Sequence, residues 1–210
     1  MDTTIAAYLV PTSSGAEYAL ASSRPDARRA ILSGLLRGAA SRPVPLGKLA
    51  ELAGITDRKE AGGLLFRMQR EGWLSGDVEP LRLPNTPLAE AVPGFLSTLS
   101  TLGMAVLADG DGMCFGYAGL ERGTAEKIAA FSAGLYPITR RFENDLGSDA
   151  FLHHNLITTQ NARQEVRFSV RALHVGRHLF HLTLAGAPAP GGDAFVQLAA
   201  TLSHRYLGEY

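Results

Sequence analysis

The chain has one cysteine in 210 residues, Cys114. That excludes an intramolecular disulfide and a cysteine-based zinc site. It also has no excess of either charge, with 20 Lys and Arg against 20 Asp and Glu. A protein that coats nucleic acid along its whole length is excluded on that balance, and only local basic patches remain to consider. No apolar run approaches the ~18 residues a membrane span needs, so no membrane association is expected. The opening MDTTIAAYLVPTSSG lacks a basic segment ahead of its short apolar run, which predicts no signal peptide and a cytoplasmic protein. Phosphate loops of the GxxxxGK[ST] type, a GxGxxG after a strand and a GxSxG elbow are all missing. Asp109-x-Asp111 begins like a calcium loop, but Met113 stands at the fifth position and Glu121 falls thirteenth, so that pattern fails. What the chain does have is 46% apolar residues, enough for packed cores and, at this length, for two domains.

Residues 1–22 read as an N-terminal arm, a hairpin or a frayed terminus. Ile5–Val10 and Ala16–Leu20 are apolar and are separated by a Pro-Thr-Ser-Ser-Gly turn. From Ser23 the signals sharpen. Pro25 and Asp26 open a helix carrying Ile31, Leu32, Leu35 and Leu36, and Gly38 closes it. Leu46–Ala53 is a second, short helix. Gly54-Ile55-Thr56 is a turn, with Thr56 the expected cap of a third helix running to about Glu71, where Gly72 stops it. Trp73-Leu74 and Leu81–Leu83 read as two strands joined by the turn Ser75-Gly76-Asp77. Helix, short helix, turn, helix and a small ribbon over residues 23–84, with the run PLGKLAELAGITDRKEAGGLLFRMQREGWLSG, resembles the winged helix-turn-helix superfamily.

This module carries eleven basic against seven acidic side chains between Arg24 and Arg82, a net of +4. On the third helix Ala61, Leu64, Leu65 and Met68 share the core face. The opposite face offers Arg58, Lys59, Gly62, Gly63, Phe66, Gln69 and Arg70, and Arg82 follows in the expected wing. Base reading uses Arg, Lys, Asn or Gln, whereas the middle of this face is Gly-Gly and an apolar Phe66. Each interior glycine costs a helix roughly 1 kcal/mol relative to alanine, so a close neighbour or an approaching partner must explain them. The face therefore binds either DNA or protein.

Leu83-Pro84-Asn85-Thr86-Pro87 is a linker. Residues 88–210 then show a helix with Phe95, Leu96, Leu99 and Leu102. A hairpin about Asp109-Gly110-Asp111-Gly112 follows. Next comes a long helix with Ile128, Phe131, Leu135, Ile138 and Phe142 as its apolar stripe, Pro137 predicted to kink or split it, and Gly147 as its stop. Three strands over 151–159, 165–174 and 178–184 lead to a final helix capped by Asp193. The fold class is α+β, and this half closes as a five-stranded antiparallel sheet with helices on it. The order α-β-β-α-β-β-β-α, with LADGDGMCFGYAG and TAEKIAAFSAGL, resembles the roadblock/dynein light chain superfamily, whose bacterial members include MglB-like partners of Ras-like polarity GTPases. That resemblance implies a homodimer joined edge to edge through the sheet, acting as a scaffold or partner of a small Ras-like GTPase. It implies no cofactor and no catalytic residues.

Of the six histidines, His153 and His154 alternate across a strand and cannot share one ion, while His174 and His178 flank a hairpin turn with no third ligand placed beside them. No metal site and no enzyme are expected. Two readings stand: a dimeric transcription regulator whose winged helix binds DNA, and an adaptor whose winged helix docks protein.

Overall fold

The computed structural model describes residues 8–38, 43, 45–77, 79–146, 156–188 and 192–207. It divides into two compact units, residues 1–85 with Phe195–Tyr210, and Thr86–Ala194. The expected stop at Gly147, the start of the strand over 151–159 and the His153–His154 pair lie outside the described residues. Among the described residues no helix is long and apolar enough to cross a membrane.

In the first unit, helices α1 (Ser13–Leu20), α2 (Ala27–Leu36), α3 (Leu46–Ala53) and α4 (Arg58–Arg70) follow a strand, β1 (Tyr8–Pro11). Asp26 caps α2 through Arg29 N. Gly54 ends α3 in the left-handed conformation, the backbone region that favours glycine. Asp57, rather than Thr56, caps α4, its carboxylate accepting from Lys59 N at 2.8 Å. The ribbon is not the local hairpin expected. Strand β2 (Leu74–Asp77) pairs antiparallel with β1, Pro11 opposite Leu74 and Tyr8 opposite Asp77. Ser75-Gly76-Asp77 is therefore strand, not turn. Leu81–Leu83 carries only a single-residue bridge at Arg82, and Pro80 and Pro84, which have no N–H, flank it, while Thr12 anchors β1 by donating to Trp73 O at 3.0 Å and Gly72 O at 2.6 Å. Residues 1–7 of the expected arm lie outside the described residues. Its residues from Tyr8 onward form one strand and one helix of this unit, with Tyr18 stacked on Trp73 at 4.2 Å.

In the second unit, α5 (Leu88–Leu96) precedes β3 (Ala105–Asp109), β4 (Cys114–Ala118), α6 (Arg122–Leu146), β5 (Leu156–Gln160), β6 (Val166–Val175) and β7 (His178–Ala185). The sheet is wholly antiparallel in the order β4-β3-β7-β6-β5. At the first hairpin only Gly112 takes positive φ, not both central residues. Asp109 accepts from Asp111 N and Met113 N through the same Oδ1, building a turn longer than two residues. α5 ends at Leu96 instead of Leu102, which is exposed. α6 is assigned as one helix through Pro137, with no split at Tyr136.

The buried direction of α6 differs from the expected stripe. Ala125, Ala129 and Ser132 are fully buried, while Phe131 and Ile138 are 51% and 55% exposed. At ~100° per residue the buried line is turned by about 100° from the stripe of large side chains. The final helix, α7 (Asp193–Tyr206), was expected to close on the sheet, but from Phe195 it belongs to the first unit, where His204 Nδ1 donates to Arg37 O at 2.9 Å.

Candidate functional site

Helix α4 gathers seven of the eight side chains singled out in the sequence. Ala61, Leu64 and Met68 are buried, so the opposite face looks outward. At ~100° per residue Arg58, Gln69, Gly62, Phe66, Lys59, Arg70 and Gly63 fall within an arc of about 140°, with Phe66 near its centre. Phe66 is 65% exposed. Arg58, Lys59, Gln69 and Arg70 are exposed around it. Arg82 is not part of this face: it is exposed beyond β2, in a single-residue bridge outside the ribbon.

The two glycines have no packing reason to be glycine. A Cβ on Gly62 would lie 3.9 Å from Leu46 Cδ2, and one on Gly63 would lie 3.7 Å from an Arg67 guanidinium nitrogen, both ordinary contacts. They leave the helix backbone without side chains between partly exposed Leu46 and Phe66. Because both sites are in helical backbone with room for a methyl group, Gly62→Ala and Gly63→Ala should each raise stability by about 0.5–1 kcal/mol. Urea denaturation followed by Trp73 fluorescence measures this; a lower midpoint for either variant would mean that the glycine is structurally required.

The basic excess of this unit is partly consumed internally. Arg29 donates to Tyr18 O, Arg24 O and the Asp26 carboxylate, and its guanidinium lies 4.7 Å from the centre of the Tyr18 ring. Arg28 lies over Trp73 at 5.4 Å. Lys48 is paired with Glu51 at 2.8 Å. Burial, then the hydrogen bond to Asp26, push the Tyr18 phenol up, so it remains a donor. These contacts hold the unit together and remove cations from any nucleic-acid face.

The second unit offers a different surface that the stripe argument assigned to the core. Ala125 and Ala129 pack on Val106 and Ala108, while Ile138 is largely exposed and Phe131 sits half-exposed at the edge of the sheet, its ring edge-on to Phe168 at 6.0 Å. Small residues at spacings of four and three, Ala125-Ala129-Ser132, were the legible signal. Toward the middle of the sheet, Tyr136 OH meets His174 Nε2 at 3.4 Å, and its ring lies 5.5 Å from that of His181. His181 is 1% exposed and neither ring nitrogen has a hydrogen-bond partner among the described residues.

The expected neighbours His174 and His178 do not converge. His174 is opposite Leu179 and faces α6, so His178, one residue earlier on β7, faces the other side. Among the described residues no group of three His, Cys, Asp or Glu side chains gathers to hold a metal ion. Cys114 packs beside Val106 and Ala108, and burial, followed by the nearby Glu126, pushes its thiol up, away from a reactive thiolate.

No family model matches the sequence, and no curated protein matches it. Solved structures do align with it. A roadblock/LC7 domain from Streptomyces avermitilis is 17% identical, covering 60% of this chain and 98% of that one, with a TM-score of 0.38. Myxococcus xanthus MglB is 14% identical over 60% of this chain and 90% of its own, with a TM-score of 0.35. The gliding protein MglB from Thermus thermophilus is 17% identical over 61% and 96%, with a TM-score of 0.36. These scores are low, and the architecture of the second unit is read from its own strand order and register.

Proposed function

We propose that the protein is a non-enzymatic homodimeric adaptor of a small Ras-like GTPase. In this reading the second unit is a roadblock-like self-association domain, and the first is a winged-helix-type module whose α4 face docks protein. The observation that carries the reading is the outward face of α4, centred on an exposed phenylalanine and including two glycines that no close packing requires. A large exposed aromatic beside two glycines suits the side chains of a protein partner. It does not suit base edges, which need donors and acceptors at the centre of the face. The exposed Phe131 and Ile138 of α6, and β5 at one end of the strand order, suit a second copy of the chain. The GTPase itself follows from the roadblock resemblance.

The test uses purified full-length chain and a panel of purified Ras-like GTPases loaded with GDP or a non-hydrolysable GTP analogue. Binding is read by anisotropy of labelled nucleotide, and duplex DNA from the upstream region and random duplex serve as the other arm. The expected result is micromolar or tighter binding to a GTPase. It should be lost by at least tenfold in Phe66→Asp, with the sedimentation mass of a dimer unchanged. Sequence-dependent DNA binding at physiological salt, weakened in Lys59→Ala plus Arg70→Ala, would replace this reading with the transcription regulator.

A further inference from the structure

Helix α4 carries four cations that lack a counter-charge. Arg58, Lys59, Arg67 and Arg70 are all exposed, and among the described residues none of them takes part in an ion pair. Arg29 and Lys48, by contrast, are paired with Asp26 and Glu51. The nearby Asp57 carboxylate is spent on the helix cap, where it accepts from Lys59 N. At ~100° per residue Arg58 lies about 80° to one side of Phe66 and Arg67 about 100° to the other. Lys59 and Arg70 lie nearly in line with the ring. At ~1.5 Å per residue they stand about 10 Å before it and about 6 Å beyond it along the axis. Glu60 and the C-cap Glu71 fall about 120–140° away from Phe66. Positive charge therefore surrounds the exposed ring without covering it.

The apolar centre is wider than one side chain. Leu46 is 37% exposed, and its Cδ2 lies 3.9 Å from where a Cβ on Gly62 would be, one helical turn from Phe66. The Arg58 guanidinium sits beside Gly47, 4.0 Å from the position of a Cβ there, and that of Arg67 sits 3.7 Å from the corresponding position at Gly63. Both cations thus border the strip from Leu46 to Phe66. Covering the ring gains free energy only if the covering surface is apolar. Covering the cations costs free energy unless that surface brings negative charge. A nucleic-acid duplex meets the second condition but sets sugar and phosphate against the ring. From this arrangement we infer that the α4 face is occupied by an acidic protein segment, with an apolar side chain against Phe66 and Leu46 and carboxylates on both sides of it. The inference rests on the docking role of α4 given above and adds the chemistry of the partner. Arg58 and Arg67 can each hold a carboxylate through two parallel hydrogen bonds. The same charge steers an acidic partner toward the face and rejects a basic one.

The probes are a fluorescein-labelled random copolymer of glutamate and tyrosine, labelled polyglutamate, and a labelled random DNA duplex, each titrated into the full-length chain. The copolymer is expected to bind saturably and at least fivefold more tightly than polyglutamate. Phe66→Ala should remove that preference, a loss of at least fivefold on the copolymer. Changing Arg58, Lys59, Arg67 and Arg70 together to Gln, a good helix former, should weaken copolymer binding by roughly tenfold or more. Far-UV circular dichroism of both variants should match wild type. Absence of saturable copolymer binding to the wild-type chain overturns the inference, as does binding that the four-Gln variant retains. Equal affinity for copolymer and polyglutamate, unchanged in Phe66→Ala, also overturns it and leaves a plain cationic patch. Tighter binding of the duplex, lost in the four-Gln variant, overturns it in favour of nucleic acid. A GTPase that binds wild type and the four-Gln variant alike, yet is lost in Phe66→Asp, overturns the acidic chemistry while the docking role stands. Copolymer binding with the expected variant profile, with no GTPase of the panel bound, supports the acidic partner and removes the GTPase.

Discussion

Gly15→Val should destabilise the first unit by about 3 kcal/mol or more, the upper end of what overpacking costs a well-fitted core. An added Cβ at Gly15 would lie 2.0 Å from Trp73 O and 2.9 Å from Trp73 C, with Leu32 Cδ2 at 3.2 Å. The first two are backbone atoms and cannot rotate away. They are also held in place, since Trp73 O accepts from Thr12 N and Trp73 N donates to Met68 O. Helix α1 would have to leave the turn that ends α4. With it would go the Tyr18–Trp73 stack and the anchor of β1 on β2. Trp73 is the sole tryptophan, so its fluorescence reports this unit selectively during urea unfolding. The expected midpoint is sharply lower than wild type, whereas Gly62→Ala, the same kind of change in another helix, should move it up. If Gly15→Val unfolds with the wild-type midpoint, α1 is not seated on that turn.

The contrast between Gly15 and Gly62 also marks what the sequence could and could not reveal. Both are helix glycines, Gly15 in the first turn of α1 and Gly62 inside α4, and what sets them apart in the structure is the distance to a neighbouring carbonyl. The helices of residues 27–70 were legible because each has local punctuation: Asp26 at a start, Gly54 and Gly72 at ends, and an apolar period of 3.6 between them. The antiparallel β3–β4 hairpin and the β6–β7 pair were legible for the same reason, from Asp-Gly and Val-Gly-Arg turns. The β1–β2 ribbon was not, because a four-residue strand shows no measurable alternation and its partner is more than sixty residues away. The orientation of α6 was misjudged for a physical reason. Periodicity weights large side chains, yet a helix lying close to a sheet selects small ones, and Ala125, Ala129 and Ser132 give little signal beside Phe131 and Ile138. Of the candidate site, the α4 face could be read residue by residue from helical angles. Arg82 could not, since its place depended on a wing that is paired elsewhere. His181 was invisible because nothing in a strand's sequence says that its polar side chains point under a helix.

His181→Leu should stabilise the second unit at neutral pH by about 1–2 kcal/mol, because it replaces two buried, unpartnered nitrogens with an apolar side chain of similar size. The effect should grow in acid. Burial pushes the His181 pKa below its ordinary 6.5, only partly opposed by the Asp109 carboxylate. The folded chain therefore holds His181 neutral where the unfolded chain would protonate it. Below pH 6.5 the unfolded state binds the extra proton, and folding stability falls as pH drops, by up to ~1.4 kcal/mol per pH unit, until the lowered folded pKa is passed. Above pH 6.5 the term is fully present and constant. Tyr136 from α6 is packed against it, ring centres 5.5 Å apart, with its hydroxyl toward His174. Urea unfolding of wild type and His181→Leu at pH 7.5, 6.0 and 5.0, followed by circular dichroism, isolates this one group, since every other side chain is common to both chains. The stability difference between the two should widen steadily below pH 6.5. A difference that stays level across that range would mean that His181 is protonated in the folded chain, and so has a partner holding its charge.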